Sequence, residues 1–299
     1  MIGQPTPGKA FAVAAIGIAL FSVMDTLMKD LSLAMGAFNA LFWRGLAGVP
    51  LSALVYFRRW PGWPARAVLK IHIVRGLLGS VVAFLFFWGL ARVPLAQGVA
   101  LSFVAPIIAL ILAALLLGER IGRAALFASL LAFAGVITIL GGQAMSEPGP
   151  EAFLGALAIL ASAAGYAWNL ILMRRQSQLS GPAEAAFFQS LFLWAGLAVA
   201  APWLGVVPDV VHAPSLVMAA VLATGSLMLL SWAYSHAEAS YLAPVEYTAF
   251  IWATLFGWII FDEQVSLLTV AGAAMIVAGC ILSARQRKGP PEHIETTSI

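Results

Sequence analysis

The chain has 299 residues, of which 62% are hydrophobic and only 10% charged, against about 25% charged in a typical soluble domain. Its apolar residues run in blocks of about 20, long enough to cross a ~30 Å hydrocarbon core, which disfavours a large soluble protein with many buried helices. A formal charge of +3 suits lipid headgroups better than nucleic acid, and a single cysteine, Cys280, excludes an intramolecular disulfide and an all-cysteine metal site.

In chain order, the apolar blocks predict membrane spans at about 10–29, 37–57, 70–91, 94–117, 123–142, 152–173, 184–204, 214–236, 239–261 and 266–284. The opening MIGQPTPGK reads as a short polar lead rather than a cleaved signal. Connections are short and carry Pro or Gly, as at Arg92-Val93-Pro94 and Gly181-Pro182. The stretch 141–151 is the longest polar break between spans and the natural boundary between halves, and the tail is polar. The expected units are therefore five spans over 1–143, a linker over 144–151, five spans over 152–285, and a cytoplasmic tail over 286–299. The expected fold class is an all-α membrane protein of ten transmembrane helices, arranged as two inverted five-helix repeats.

Lys and Arg set the expected orientation. With both termini in the cytoplasm, the inner side holds twelve basic residues, from Lys9 and Arg58 to Arg287 and Lys288, and the outer side only Lys29 and Arg92. That bias requires an even number of spans. A shift of 144 residues lays spans four and five over spans nine and ten: Ala105 meets Ala249, Ile107 meets Ile251, Glu119 meets Glu263, and Gly135 meets Gly279. Five is odd, so the second set enters the membrane from the opposite side. Inverted repeats of this kind are a scaffold of secondary transporters, with the substrate near the midplane.

The Pro106-centred fourth span ends in Leu-Gly-Glu-Arg (117–120), the ninth span lies at 243–263, and the opening FSVMDTLMKDLS (21–32) is followed by Phe42-Trp43-Arg44-Gly45. These stretches resemble the drug/metabolite transporter superfamily in its EamA family. The likeness covers about residues 10–284. The ninth span ends Phe-Asp-Glu-Gln and lacks the usual proline after Ala249. The resemblance implies ten helices, cytoplasmic termini, and a central cavity lined by spans one to four and six to nine. It also implies export or import of amino acids, nucleotide-like metabolites, vitamins, S-adenosylmethionine or drugs.

Ionisable residues at membrane depth are costly and mark candidate substrate or coupling positions. Asp25 precedes Lys29 by one turn, a spacing that permits a local salt bridge. Arg44, in the outer half of span two, is a second partner for Asp25. This pair reads either as a structural lock or as a gating and substrate contact. Glu246, two turns into span nine, is positioned to bind a cationic group or carry a coupling proton; the bland reading is a carboxylate satisfied by hydroxyls near the inner mouth. Arg75 and His72 read as interfacial, Arg75 snorkelling to headgroups. His236 reads as a surface residue beside Glu238.

The remaining candidate cavity residues are Asn39, Trp43, Trp88, Ser102, Tyr166, Asn169, Gln189, Trp232 and Tyr247, together with Trp168. Aromatic walls with a few polar groups suit an organic ligand, whereas interfacial belts are the alternative for each Trp or Tyr taken singly. Ala128 and Ala132, with Ala274 and Ala278, have helix-packing spacing for an internal seam or a dimer. Pro106 and Pro244 predict bends in spans four and nine.

These features favour a secondary transporter moving a small organic metabolite across the inner membrane by alternating access, as monomer or homodimer, with protons as a candidate coupling ion. They call for no cofactor, metal or nucleic acid. No HExxH pair, Walker loop or GxSxG elbow is found, which disfavours a membrane-embedded enzyme. A scaffold or receptor without transport is the other alternative, discriminated by whether the centre is solvated.

Overall fold

The computed structural model of the chain describes residues 7–58, 62–117, 123–145, 150–177, 179–236, 242 and 245–285. The regular structure in these residues is helical, because a backbone in hydrocarbon must satisfy its own polar groups. The helices are α1 (Pro7–Met35), α2 (Ala37–Arg58), α3 (Arg66–Leu90), α4 (Leu95–Ser102), α5 (Ala105–Leu117), α6 (Arg123–Met145), α7 (Pro150–Ser177), α8 (Pro182–Leu204), α9 (Ala213–His236), α10 (Thr248–Phe261) and α11 (Leu267–Arg285). Six of them contain stretches long and apolar enough to cross a membrane unaided; four shorter apolar stretches lie at Leu95–Ala109, Ser129–Gly142, Thr248–Phe261 and Leu267–Gly279. The protein is an integral membrane protein.

The first predicted span ends too early. The apolar run continues through Leu31, Leu33 and Met35, so α1 carries Lys29 inside the helix rather than in a loop. Its hydroxyls are spent within the helix, Ser22 Oγ donating to Ile18 O at 3.0 Å and Thr26 Oγ1 to Ser22 O at 2.7 Å. Gly36, at φ +82°, then reverses the chain into α2 within one residue, a conformation that suits glycine. The predicted bend in span four is a break between α4 and α5. Pro106 has no N–H to offer the Ser102 carbonyl, and Phe103 and Val104 form a turn.

α1 lies along α9, and α3 lies along α7. α2 packs on α8, α6 on α11, and α4 crosses α10. The first two pairings share a detail: Ser226 of α9 donates to Gly17 O of α1 at 2.7 Å, and Ser162 of α7 donates to Val82 O of α3 at 2.8 Å. Glycines set the close approaches. A Cβ on Gly135 would stand 2.6 Å from Gly272 O, and one on Gly89 would stand 2.5 Å from Gly155 O. The small-residue seam is thus internal, between α6 and α11, but it runs through buried Ala132, Gly135, Gly272 and Ala273, whereas Ala274 is exposed.

Expectations for the 146–149 part of the linker, the 286–299 tail, Glu119, Pro244 and Glu238 lie outside the described residues, as do those for the side chains of Ala128 and Cys280.

Candidate functional site

Three polar groups occupy the bundle. The first is at the end where α1 turns into α2. Lys29 is only 3% exposed, and its ammonium donates to Val93 O at 2.7 Å and to Glu263 Oε1. The Phe261 ring lies 5.1 Å from the same nitrogen. The other carboxylate oxygen of Glu263 accepts from the Leu95 N–H at 2.7 Å, at the start of α4. Glu263 reaches this position because Asp262, at φ 54°, ends α10 in the left-handed conformation. Gly257 leaves room for it: a Cβ there would stand 2.9 Å from Oε2. One carboxylate thus ties α1, the α3–α4 connection and the end of α10 together.

Asn39 and Trp43 belong to this end too. Asn39 Oδ1 accepts from Val206 N–H at 2.8 Å, and Trp43 Nε1 donates to Val206 O at 2.9 Å. Both hold the α8–α9 connection. Trp88 lies under the Arg92 guanidinium, 3.6 Å from its ring centre.

The second group is in the middle. Asp25 is buried and its Oδ1 has no hydrogen-bond partner. Neither expected bridge forms: Lys29 turns to Glu263, and Arg44 stays beyond 4.0 Å of Asp25, near enough only to act through its charge. Arg44 instead approaches Met24 Sδ at 3.6 Å and stands 6.0 Å from the Phe87 ring centre. Two opposite charges are therefore held apart inside the bundle. Gln189 Oε1 and Trp194 Nε1, on α8, are also buried without partners. Phe103, in the break of span four, meets Tyr247, at the start of α10, edge to face at 5.3 Å. Ser102 Oγ is taken up locally by Val99 O.

The third group is at the opposite end and differs from expectation. His72 is fully buried rather than interfacial, with Nε2 3.0 Å from Glu184 Oε1 and Nδ1 against the Gln176 amide. Its ring stacks on Phe188 at 4.8 Å. Arg75 does not snorkel: its Nε donates to Asn169 Oδ1 at 2.8 Å and its Nη1 to Gln176 Oε1. Tyr166 stands within electrostatic reach of both Arg75 and Glu246. Its side chain is 48% exposed. Glu246 is exposed, and Trp168, which precedes Asn169, is 42% exposed. Trp232 stacks on His236 at 4.3 Å.

The sequence reading missed Glu263, Gln176 and Glu184. Glu263 had a signal, its overlay on Glu119 at the end of the matching span. Gln176 and Glu184 had none beyond being polar at helix ends.

Six helices long and apolar enough to cross a membrane, with charges buried between helices, define a polytopic helical membrane protein. The chain belongs to the EamA-like transporter family, whose description matches residues 8–141 and again 153–285. It is 29% identical over 282 residues to the pseudopaline exporter CntI of Pseudomonas aeruginosa, covering 93% of this chain and 96% of that one. It is 27% identical to a riboflavin transporter of Brucella anthropi, over 73% and 78% of the two chains. It is also 27% identical to an S-adenosylmethionine uptake transporter of Rickettsia bellii, over 90% and 93%. A solved crystal structure shares the fold with a TM-score of 0.64 at 20% identity, covering 94% of this chain and 98% of the other.

Proposed function

We propose that the protein is a secondary transporter of a small organic metabolite in the bacterial inner membrane, working by alternating access between two inverted five-span halves. In this reading the termini and the His72 end face the cytoplasm, as the distribution of Lys and Arg requires. The family matches twice, once on each side of 144–151. The helix pairings support inversion, since α1 on α9 and α7 on α3 are the same pairing with the halves exchanged. One end of each serine contact follows the 144-residue shift, because 82 and 226 are equivalent positions, as are Phe103 and Tyr247. The short apolar stretches of spans four, five, nine and ten complete the ten.

The observation that carries the transport reading is the match to a transporter family over both halves of the chain. Charged and polar side chains buried between the helices are what a carrier uses to handle a polar substrate. The substrate path runs from Tyr166 and Glu246 past Gln189 and the Phe103–Tyr247 contact to Asp25 and Arg44. Trp88, Ser102, Asn169 and Trp232 flank it, and Asn39 and Trp43 act at its outer end. Opposite charges held apart favour a substrate that carries both signs, an amino-acid-like compound before a flavin. Glu246 takes the cationic group or the coupling proton.

The test is Glu246→Gln in proteoliposomes, preceded by a thermal-shift screen against amino acids, flavins, nucleosides and S-adenosylmethionine to find the ligand. The variant should melt within about 2 °C of the wild type yet lose transport, or lose its pH dependence. Unchanged transport at every pH removes Glu246 from the mechanism.

A further inference from the structure

The chain of contacts at the His72 end has a direction fixed by chemistry. Arg75 can only donate hydrogen bonds, so Gln176 must present its carbonyl oxygen to it. The Gln176 amide nitrogen then faces His72 and donates, so Nδ1 must accept. The ring proton therefore sits on Nε2, where it donates to the Glu184 carboxylate at 3.0 Å. Read the other way, Glu184 selects a tautomer, the tautomer orients an amide, and the amide holds one arm of a guanidinium. Asn169 holds the other arm, Oδ1 accepting from Nε at 2.8 Å. Three helices take part, α3, α7 and α8.

We infer that His72 is a positioning residue for Arg75 and makes the inner end of the carrier sensitive to pH. The only vacant basic site on the ring is Nδ1. A proton taken there from water turns an acceptor into a donor, facing the donor amide of Gln176. The amide turns over, Oε1 accepting from Nδ1–H and the NH2 group now facing Arg75. Donor meets donor, and the Arg75–Gln176 bond is lost while the imidazolium keeps Glu184. Arg75 then keeps only its Asn169 contact. Acid on the cytoplasmic side thus frees one arm of a guanidinium at the inner end of the carrier.

Among the described residues, the charged and titratable groups near His72 are few. Glu184 faces it from α8, and Tyr56 of α2 lies close enough to Glu184 to feel its charge. Tyr56 joins the same ring cluster, 5.7 Å from Phe188, and donates to Gly62 O at 2.6 Å. Arg75 lies one turn further along α3, and Lys70 of the same helix is exposed. Arg174 and Arg175 precede Gln176 in the sequence of α7.

The device rests on the transport reading for its purpose but not for its test, which needs no substrate. The chain has four histidines, so protein labelled with 15N-histidine in detergent gives few enough imidazole signals for His72→Gln to assign one. From about pH 8.5 to about pH 5, the range in which an imidazole titrates, His72 should begin with its proton on Nε2 and end doubly protonated. Gln176→Leu combined with Glu184→Leu should erase the tautomer preference. A proton on Nδ1 at the alkaline end, or no titration across the range, overturns the inference.

Melting provides the second readout. Arg75→Gln should lower the melting temperature by about 5 °C at the alkaline end, as expected for losing a hydrogen bond to a charged group. The difference should shrink by about half at the acid end. In the His72→Gln background it should not change with pH. A difference that is the same at both ends in the wild type reduces His72 to a packing residue. If His72→Gln does not fold, the wild-type titration and the Arg75→Gln comparison still decide the matter.

Discussion

The two ends of the bundle hold their charges by different means. At the Lys29 end, an ammonium and a carboxylate meet directly, and each also bonds backbone: Val93 O on one side and the Leu95 N–H on the other. At the His72 end, the cation and the acid never touch; Gln176 and a neutral imidazole stand between Arg75 and Glu184. A direct buried pair is costly to open because each partner left behind is an uncompensated charge. A relay of neutral groups opens by turning one amide. In the carrier reading, the outer end is shut in this conformation and the inner end is the one adjusted to conditions.

The sharpest way to break that contrast is Glu263→Ala. It strands Lys29 in the bundle and uncaps α4, and should cost about 3–5 kcal/mol, read as a fall in melting temperature. Lys29→Met combined with Glu263→Leu should recover most of the loss, because the apolar pair leaves no orphaned charge. A fall no larger than that of an exposed ion pair, under about 1 kcal/mol, would show that the pair is solvated. A smaller effect is expected from Gly257→Ala. Its Cβ would sit 2.9 Å from Glu263 Oε2, and the crowding should cost about 1–3 kcal/mol. Wild-type stability there would mean that the carboxylate has room to spare. The smallest effect concerns Asp25 and Arg44, which lie between the two ends without touching. In a cycle of Asp25→Asn and Arg44→Gln, the coupling in stability should be about 0.5–1 kcal/mol. A value above about 3 kcal/mol would mean that they close into a direct pair.

Much of the fold could be read from residue order alone. Apolar blocks of membrane length dictate helices, since no other backbone is satisfied in lipid. Pro106 located the break in span four. Partners were harder. Asp25 and Lys29 have ideal spacing for a bridge along one helix, yet Lys29 pairs with a residue more than 200 positions away. Spacing reports which side chains share a face, not what the opposing helix brings to that face. Arg75 and His72 were misjudged for a related reason. Their depth, one or two turns inside span three, fits snorkelling equally well, and only the docking of α7 and α8 supplies Asn169, Gln176 and Glu184 as partners.

Sided access to the bundle's centre separates a carrier from a scaffold. With Cys280 replaced by serine, Tyr166→Cys should react with a membrane-impermeant maleimide in inside-out vesicles and stay protected in right-side-out vesicles. Adding Glu263→Gln, which weakens the outer tie, should admit the reagent from the second side as well. A cysteine at 166 that reacts from neither side in both backgrounds, or equally from both sides before the tie is touched, would contradict a centre reached from one face at a time.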